Sequence, residues 1–255
     1  GSECGAIPAA PYTNAVGALD MGVTPAFYPG GISVEDSQRV KKIWGEEVPL
    51  APGLSSIEMI EKAAGGELKA LVVFRANPLA DFPGGNRVKS ALEKLECLIV
   101  HDMIATETSK MAHIIIPSNG PVCDEGTTTN IGGRVQLRRR GLTANNIPDW
   151  KIVARMINEL GGGVRYQDAL SVTAEIAKNV PGYEHIRRGS IQKEGKLRGE
   201  PSNVVDGLAG PGKDLKQKGL RLRVVARLFV NDKILSKNSS LAHHFAGPEV
   251  LIHES

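Results

Sequence analysis

Three short stretches combine residue types that hold nucleotides or move protons. Arg75-Ala76-Asn77-Pro78 offers a cation and an amide. His101-Asp102-Met103-Ile104-Ala105-Thr106-Glu107-Thr108 offers an imidazole beside a carboxylate, then hydroxyls. Cys123-Asp124-Glu125-Gly126-Thr127-Thr128-Thr129-Asn130 offers acids, hydroxyls and an amide. Short polar side chains and backbone N–H groups of this kind, gathered on one rim, can hold a nucleotide. The plainer alternative is local: Asn77-Pro78 is a turn, Thr106 an N-cap, and Asp102 a carboxylate that orders its loop. Residue types alone leave both open.

Other chemistry is poorly supported. His101-Asp102 has the composition of an acid/base pair, but neighbours at a strand end point to opposite sides. No Ser or Cys carries an evident base. His113, His185, His243, His244 and His253 form no HxxxH or HExxH pattern, and His243-His244 is the nearest approach to a metal pair. The sequence therefore predicts neither a catalytic residue nor a metal ligand in this chain. Gly161-Gly162-Gly163 follows a helical pattern rather than a strand, which makes it a C-cap and not a phosphate loop. Arg134, Arg138, Arg139 and Arg140 form a local basic patch, read as a solvated face or a protein contact.

These loops need elements to position them. Ser55-Ser56-Ile57-Glu58 has the form of a capping box, with Ile57, Ile60 and Ala64 on one helical face until Gly65-Gly66. Strands are predicted over Lys69–Phe74, Leu98–His101 and His113–Ile116, separated by helices over about 86–95 and 106–111. Strands alternating with helix-length segments mean βαβ units, an α/β fold with a doubly wound, mainly parallel sheet, and ligands off the carboxyl ends of the strands. Thr127–Asn130 and Val135–Arg139 flank Gly132-Gly133 as a hairpin. Pro148 opens a helix with Trp150, Val153, Ile157 and Leu160 on its apolar face, and another helix is expected over Asp168–Val180. Residues 3–54 are Pro- and Gly-rich, with a short helix around Val34–Trp44; such an irregular stretch suggests packing against something else. The expected organisation is an α/β region over 3–186, a polar linker over 187–219, and a β-rich unit beginning at 220, where Leu222, Val224, Ala226 and Leu228 alternate with arginines.

Composition bounds the function. The chain has 255 residues, 31 Lys+Arg against 28 Asp+Glu, 41% hydrophobic and 4% aromatic residues. These are ordinary globular values, and a net charge of +3 with few aromatics argues against a nucleic-acid partner. No stretch approaches the roughly 20 apolar residues of a membrane span, so no direct membrane insertion is expected. The three cysteines, Cys4, Cys97 and Cys123, stand far apart without a CxxC pair. They supply no Cys-rich zinc or iron–sulfur site and suit a reducing compartment. Gly1-Ser2 resembles an expression scar, and the chain reads as part of a longer protein.

With these elements in place, a family resemblance emerges. Leu71 through Pro78, then Asp102 with Thr106-Glu107-Thr108, then Ala112 through Pro117, then Glu125 through Gln136, then Pro148-Asp149-Trp150 resemble, in order, the GxNP, D…TET, ADVVLP, EKEGTxTNxEGRVQ and PDW motifs of molybdopterin oxidoreductases. Gly17 through Pro25 and Pro29-Gly30 resemble a segment of formate dehydrogenases and of the large iron–sulfur subunits of NADH–quinone oxidoreductases. The resemblance implies α/β halves around a bis-molybdopterin guanine dinucleotide, with Asn77, Asp102 and Asp149 at positions that help to hold it. It also implies that the segment from 220 starts a C-terminal β-barrel domain. Four positions depart from the pattern: Arg75 replaces its Gly, Asp124 its Lys, His113 its Asp and Gly132 its Glu.

These departures favour the NADH–quinone oxidoreductase subunit, in which this region is architecture without molybdenum. Electrons there pass from NADH through iron–sulfur clusters of the parent subunit to quinone. The partners would be the other subunits, and the location peripheral, on the cytoplasmic side of the inner membrane. No cofactor is then expected in this segment. The alternative is a segment of a formate-dehydrogenase-like catalytic subunit that binds molybdenum or tungsten with two pterin dinucleotides. If Arg75 blocks the rim, its guanidinium should fill the space expected for nucleotide.

Overall fold

The computed structural model describes residues 12–199 except 46, 47, 144 and 192. These belong to the first of the two units into which the chain divides, Gly1–Asp206 and Gly207–Ser255. The expected β-rich unit from 220, Cys4 and the histidines at 243, 244 and 253 lie outside the described residues.

In chain order the elements are α1 (Ala15–Asp20), β1 (Phe27–Tyr28), β2 (Ile32–Ser33), α2 (Ser37–Trp44), α3 (Ser56–Ala64), β3 (Ala70–Phe74), α4 (Pro78–Asp81), α5 (Gly85–Glu93), β4 (Cys97–Asp102), β5 (Ile114–Pro117), β6 (Gly126–Thr129), β7 (Arg134–Arg138), α6 (Asp149–Glu159), α7 (Ala169–Asn179) and β8 (Lys196–Leu197), with 3-10 turns at Ser109–Met111, Pro121–Cys123 and Arg188–Ser190. They form a parallel sheet β3-β4-β5, an antiparallel sheet β6-β7-β8 and the small ribbon β1-β2.

The parallel sheet follows from its sequence. Ser55 closes the predicted capping box on α3: its Oγ accepts from Glu58 N–H at 3.3 Å, and Glu58 Oε2 accepts from Ser55 N–H at 2.7 Å. The Ser55 hydrogen bonds hold the Glu58 carboxyl below its ordinary range. Ile60 and Ala63 of α3, with Val88, Ala91 and Leu92 of α5, cover Val73, Leu98 and Val100 of the sheet, whose alternate residues point to that side. Register pairs Val72 with Ile99 and Phe74 with His101, then Ile99 with Ile114 and His101 with Ile116. On this second face Val72, Phe74 and Ile114 are half-exposed among the described residues. The parallel α/β sheet therefore stands as expected, with one face helix-covered.

The second core gathers Val135, Val180, Tyr183, Ile186 and Ile191 against β7. The hairpin turn is fixed by Asn130, whose Oδ1 accepts from Gly132 and Arg134 N–H at 3.0 and 2.9 Å, with Gly133 at φ +72°. The N-terminal segment, expected to be irregular, carries α1, the ribbon and α2 and is fastened to this core. Tyr183 donates to Asp20 Oδ2 at 2.7 Å and meets Thr129 Oγ1 at 2.8 Å, while Arg198 Nε lies 2.7 Å from the same Asp20 oxygen. Gly30, at φ +82°, leaves no room for a side chain: a Cβ there would stand 2.5 Å from Pro181 Cδ. Tyr183→Phe removes a buried donor from Asp20 and should cost about 1–3 kcal/mol in a urea titration; an unchanged midpoint would contradict this packing. Burial, reinforced by Asp20 against an opposing hydrogen bond from Thr129, pushes the Tyr183 phenol well up. Its contribution is complete below the ordinary tyrosine range and is lost as the pH climbs above it.

Four expectations change. The helix predicted over Val34–Trp44 starts at Ser37, because Asp36 caps it by accepting from Arg39 N–H at 3.3 Å. The helix predicted over 106–111 shrinks to one 3-10 turn, because Thr106 and Ser109 exchange side-chain-to-backbone bonds, Thr106 N–H to Ser109 Oγ at 2.8 Å and Ser109 N–H to Thr106 Oγ1 at 3.1 Å. On α6 the buried residues are Ile152 and Ala154, whereas Val153, Ile157 and Leu160 of the expected apolar face turn outward, with Leu160 88% exposed. Helical periodicity locates a stripe but not what lies against it. The beginning of the expected linker is ordered: β8 pairs with β7 through Arg134–Leu197 and Val135–Lys196, and residues 200–219 lie outside the described set.

Candidate functional site

The carboxyl ends of β3, β4 and β5 present Arg75, Asp102 and Ser118-Asn119 side by side. Arg75 follows β3 at φ +49°, the only non-glycine with positive φ among the described residues. Its main-chain N–H donates to His101 O at 2.8 Å, which continues the ladder and aims the side chain across the rim. The guanidinium then meets two carboxylates: NH2 to Asp124 Oδ2 at 2.7 Å and Nε to Asp149 Oδ2 at 2.6 Å. It also donates from Nε to Ser118 Oγ at 3.0 Å and from NH2 to Asn119 O at 2.9 Å. Burial by itself would ease its proton off, but hydrogen bonding to Asp124 and the charge of Asp149 outweigh it and raise the pKa. Arg75 is a fixed cation.

Asp149 reaches this cluster because the loop before α6 is pinned to the loop after β5. Asn119 and Asn146 exchange bonds, Asn119 Nδ2 to Asn146 O at 3.0 Å and Asn146 N–H to Asn119 Oδ1 at 3.1 Å, while Asn146 Nδ2 donates to Ser118 O at 3.0 Å. Asp149 sits in the first turn of α6, where the helix favours an anion, and accepts from Ser118 Oγ at 2.8 Å. His101 lies beneath, fully buried, edge-on to the Phe74 ring at 5.2 Å. Its Nδ1 is 3.0 Å from Ile116 O. Its Nε2 is 3.0 Å from Asp149 Oδ1 yet makes no directed hydrogen bond, so it stands at ion-pair distance off the N–H line.

The three expected binding residues do not converge. Asp149 joins Arg75, Asp124 and Ser118. Asn77 belongs to a separate clamp: its Oδ1 accepts from Thr108 Oγ1 at 2.7 Å and its Nδ2 donates to Glu107 Oε2 at 2.8 Å, while Thr108 Oγ1 accepts from Leu79 N–H at 3.2 Å. This clamp joins the loop after β3 to the crossover after β4. Asp102, buried at the end of β4, accepts from Met103 N–H at 2.7 Å, which is the loop-ordering role named as the plainer alternative. His101 and Asp102 are not an acid/base pair, since the imidazole meets Asp149. Of the basic patch, Arg140 pairs with Glu125 at 3.3 Å and Arg138 stands 3.7 Å from Asp124. Sequence reasoning missed Ser118, Asn119 and Asn146; short polar residues directly after Pro117, which ends a strand, were the available signal.

Among the described residues no group of three or more His, Cys, Asp or Glu is disposed to hold a metal, and no helix is long and apolar enough to cross a membrane. Two shallow clefts lie elsewhere, one of about 260 Å³ lined by Phe27, Tyr28 and Pro49 and one of about 330 Å³ beside Glu58 and Glu61. Neither touches the rim. The rim gathers acceptors in Asp124, Asp149 and Asn119 O and a hydroxyl in Ser118, all engaged by Arg75, with the buried His101 Nε2 beneath them.

The molybdopterin oxidoreductase family pattern matches residues 9–159. The chain is 38% identical over 190 residues to the NADPH-Fe(3+) oxidoreductase subunit alpha of Geobacter sulfurreducens, covering 74% of this chain and 22% of that protein. It is 30% identical over 239 residues to the F420-dependent formate dehydrogenase subunit alpha of Methanocaldococcus jannaschii, covering 92% and 33%. It is 33% identical over 198 residues to the assimilatory nitrate reductase catalytic subunit of Bacillus subtilis, covering 72% and 28%. The chain thus spans about a fifth to a third of the length of these relatives. Among solved structures, acetylene hydratase from Pelobacter acetylenicus aligns with a TM-score of 0.49 at 12% identity, over 71% of this chain and 26% of that one. The match of more than half the chain to one family pattern makes this protein a member of the molybdopterin oxidoreductase family.

Proposed function

We propose that the chain is part of an oxidoreductase subunit of the formate-dehydrogenase kind and that its rim holds the nucleotide end of a molybdopterin guanine dinucleotide. The observation that carries this is that the loop after β3, the loop after β5 and the PDW carboxylate Asp149 meet at one rim, while Asn77 and Asp102 brace the loops beside it. Similarity to formate dehydrogenase and nitrate reductase catalytic subunits supports the same reading. When bound, the group supplies two-electron redox chemistry at its metal. This chain's part is to bind and orient. Asp149 and Asp124 accept from base N–H groups, Ser118 offers a hydroxyl, and Asn77 and Asp102 hold their loops in place. The segment from 220 belongs to this proposal as the start of the family's C-terminal β domain, and the partners are further subunits of the same assembly.

One observation favours the second reading, an architectural domain in the large iron–sulfur subunit of an NADH–quinone oxidoreductase, peripheral on the cytoplasmic face of the membrane. Arg75 fills the rim that a nucleotide would enter. Metal and pterin content of the full-length parent subunit, purified from its native host, decides between the two. Near-stoichiometric molybdenum or tungsten with pterin is expected. Iron without either would leave the region as architecture.

A further inference from the structure

The Arg75 guanidinium is a planar fork of N–H donors held between two carboxylates. The guanine edge, with its N1–H and exocyclic NH₂, presents donors of the same kind, and adenine lacks that pair at the same edge. We propose that Arg75 is a displaceable in-chain occupant of the rim, holding Asp149 and Asp124 until a planar N–H donor of the guanine type takes the same carboxylates. This rests on the reading of the rim as a nucleotide site and adds how access to it is controlled.

Three observations carry it. First, the cluster opens to solvent: the Arg75 and Asp149 side chains are 24% and 29% exposed, so the guanidinium has a way out. Second, the carboxylates stay supported when it leaves. Ser118 Oγ donates to Asp149 at 2.8 Å, His101 Nε2 stands 3.0 Å from the same carboxylate, and Arg138 lies 3.7 Å from Asp124. Third, Arg75 sits at φ +49°, a glycine region, so its side-chain contacts are made at a backbone cost that weakens its hold on the rim. The departures from the family pattern at 75 and 124 then form one exchange: a cation placed at 75 faces an anion placed at 124, 2.7 Å apart.

The test is calorimetric titration of the 255-residue chain with guanosine monophosphate, and with adenosine monophosphate as control. If the site is open in a tenth of molecules or fewer, removing the occupant tightens binding at least about tenfold. Arg75→Gly should therefore bind guanosine monophosphate at least about tenfold more tightly than the unaltered chain, with no matching gain for adenosine monophosphate. Adding Asp149→Asn should abolish the gain. Equal affinity in Arg75→Gly and the unaltered chain overturns the proposal, as does an equal gain for both nucleotides. Arg75→Gln, read by the same ratio, serves where the glycine variant does not fold. Native metal and pterin content is measured independently of this ratio, so the occupant and the cofactor reading fail separately.

Discussion

Arg75→Gly is expected to be more stable than Arg75→Ala, by about 1 kcal/mol, reversing the usual order of these residues in a folded chain. Both variants lose the pairs to Asp124 and Asp149 and leave two carboxylates without their guanidinium. For a partly buried cluster this costs about 2–3 kcal/mol, below the full penalty of a buried pair because Arg75 and Asp149 remain partly solvated. Alanine also retains the conflict between its Cβ and the left-handed backbone at φ +49°, which glycine removes. Urea unfolding of the two variants under one condition reads the difference directly. Alanine equal to or more stable than glycine would mean that the backbone there is not held in the left-handed region.

The second large effect is at Asn77. Asn77→Asp changes almost no volume but replaces the Nδ2 donor, 2.8 Å from Glu107 Oε2, with a negatively charged oxygen. The Asn77 N–H also donates to Asp81 Oδ2 at 2.9 Å, so a third carboxylate is close by. The loss of a part-buried charge-assisted bond and the new repulsion together should cost about 2–3 kcal/mol, more than Asn77→Ala. Facing carboxylates raise the pKa of one of them in the folded state, which then holds more protons than the unfolded chain. Stability of the aspartate variant should therefore recover as the pH falls from about 8 to about 5. Unfolding midpoints across that range test this, and a variant as stable as the parent at about pH 8 would remove the clamp from the description.

The sheet was legible because its signals are local and mutually consistent. Ser55 and Glu58 announce a helix start, Gly65-Gly66 its end, and Leu71–Phe74 and Leu98–His101 are apolar runs of strand length. Asn130 with Gly133 likewise specifies a turn through its own side chain. The helix stripe on α6 misled because burial is a property of neighbours: periodicity finds Val153 and Ile157 but cannot say that Ile152 meets the core. The rim was legible only in part: Arg75, Asp124 and Asp149 stood out in the sequence, whereas Ser118, Asn119 and Asn146 did not. Resemblance to the family grouped Asp149 with Asn77 and Asp102 as positions that hold the dinucleotide, yet its hydrogen bond to Ser118 depends on Asn146 reaching Asn119 across 27 residues. The family positions Asn77 and Asp149 fall into two different networks, a partition that no spacing rule reveals.

The parallel sheet with its covering helices comes from one uninterrupted stretch, Ser55 to Pro117, in which each strand pairs only with its neighbours in sequence. Such an arrangement closes small loops, and it can form during vectorial synthesis as soon as that stretch has left the ribosome. The rim cannot. Arg75 waits for Asp124, 49 residues downstream, and then for Asp149. At about 5–20 residues per second the interval after Pro117 lasts a few seconds. For the first part of that time the finished sheet carries an unpaired cation at its carboxyl edge, until Asp124 emerges, and the site is completed by the translation of a helix that lies outside the folding unit it closes.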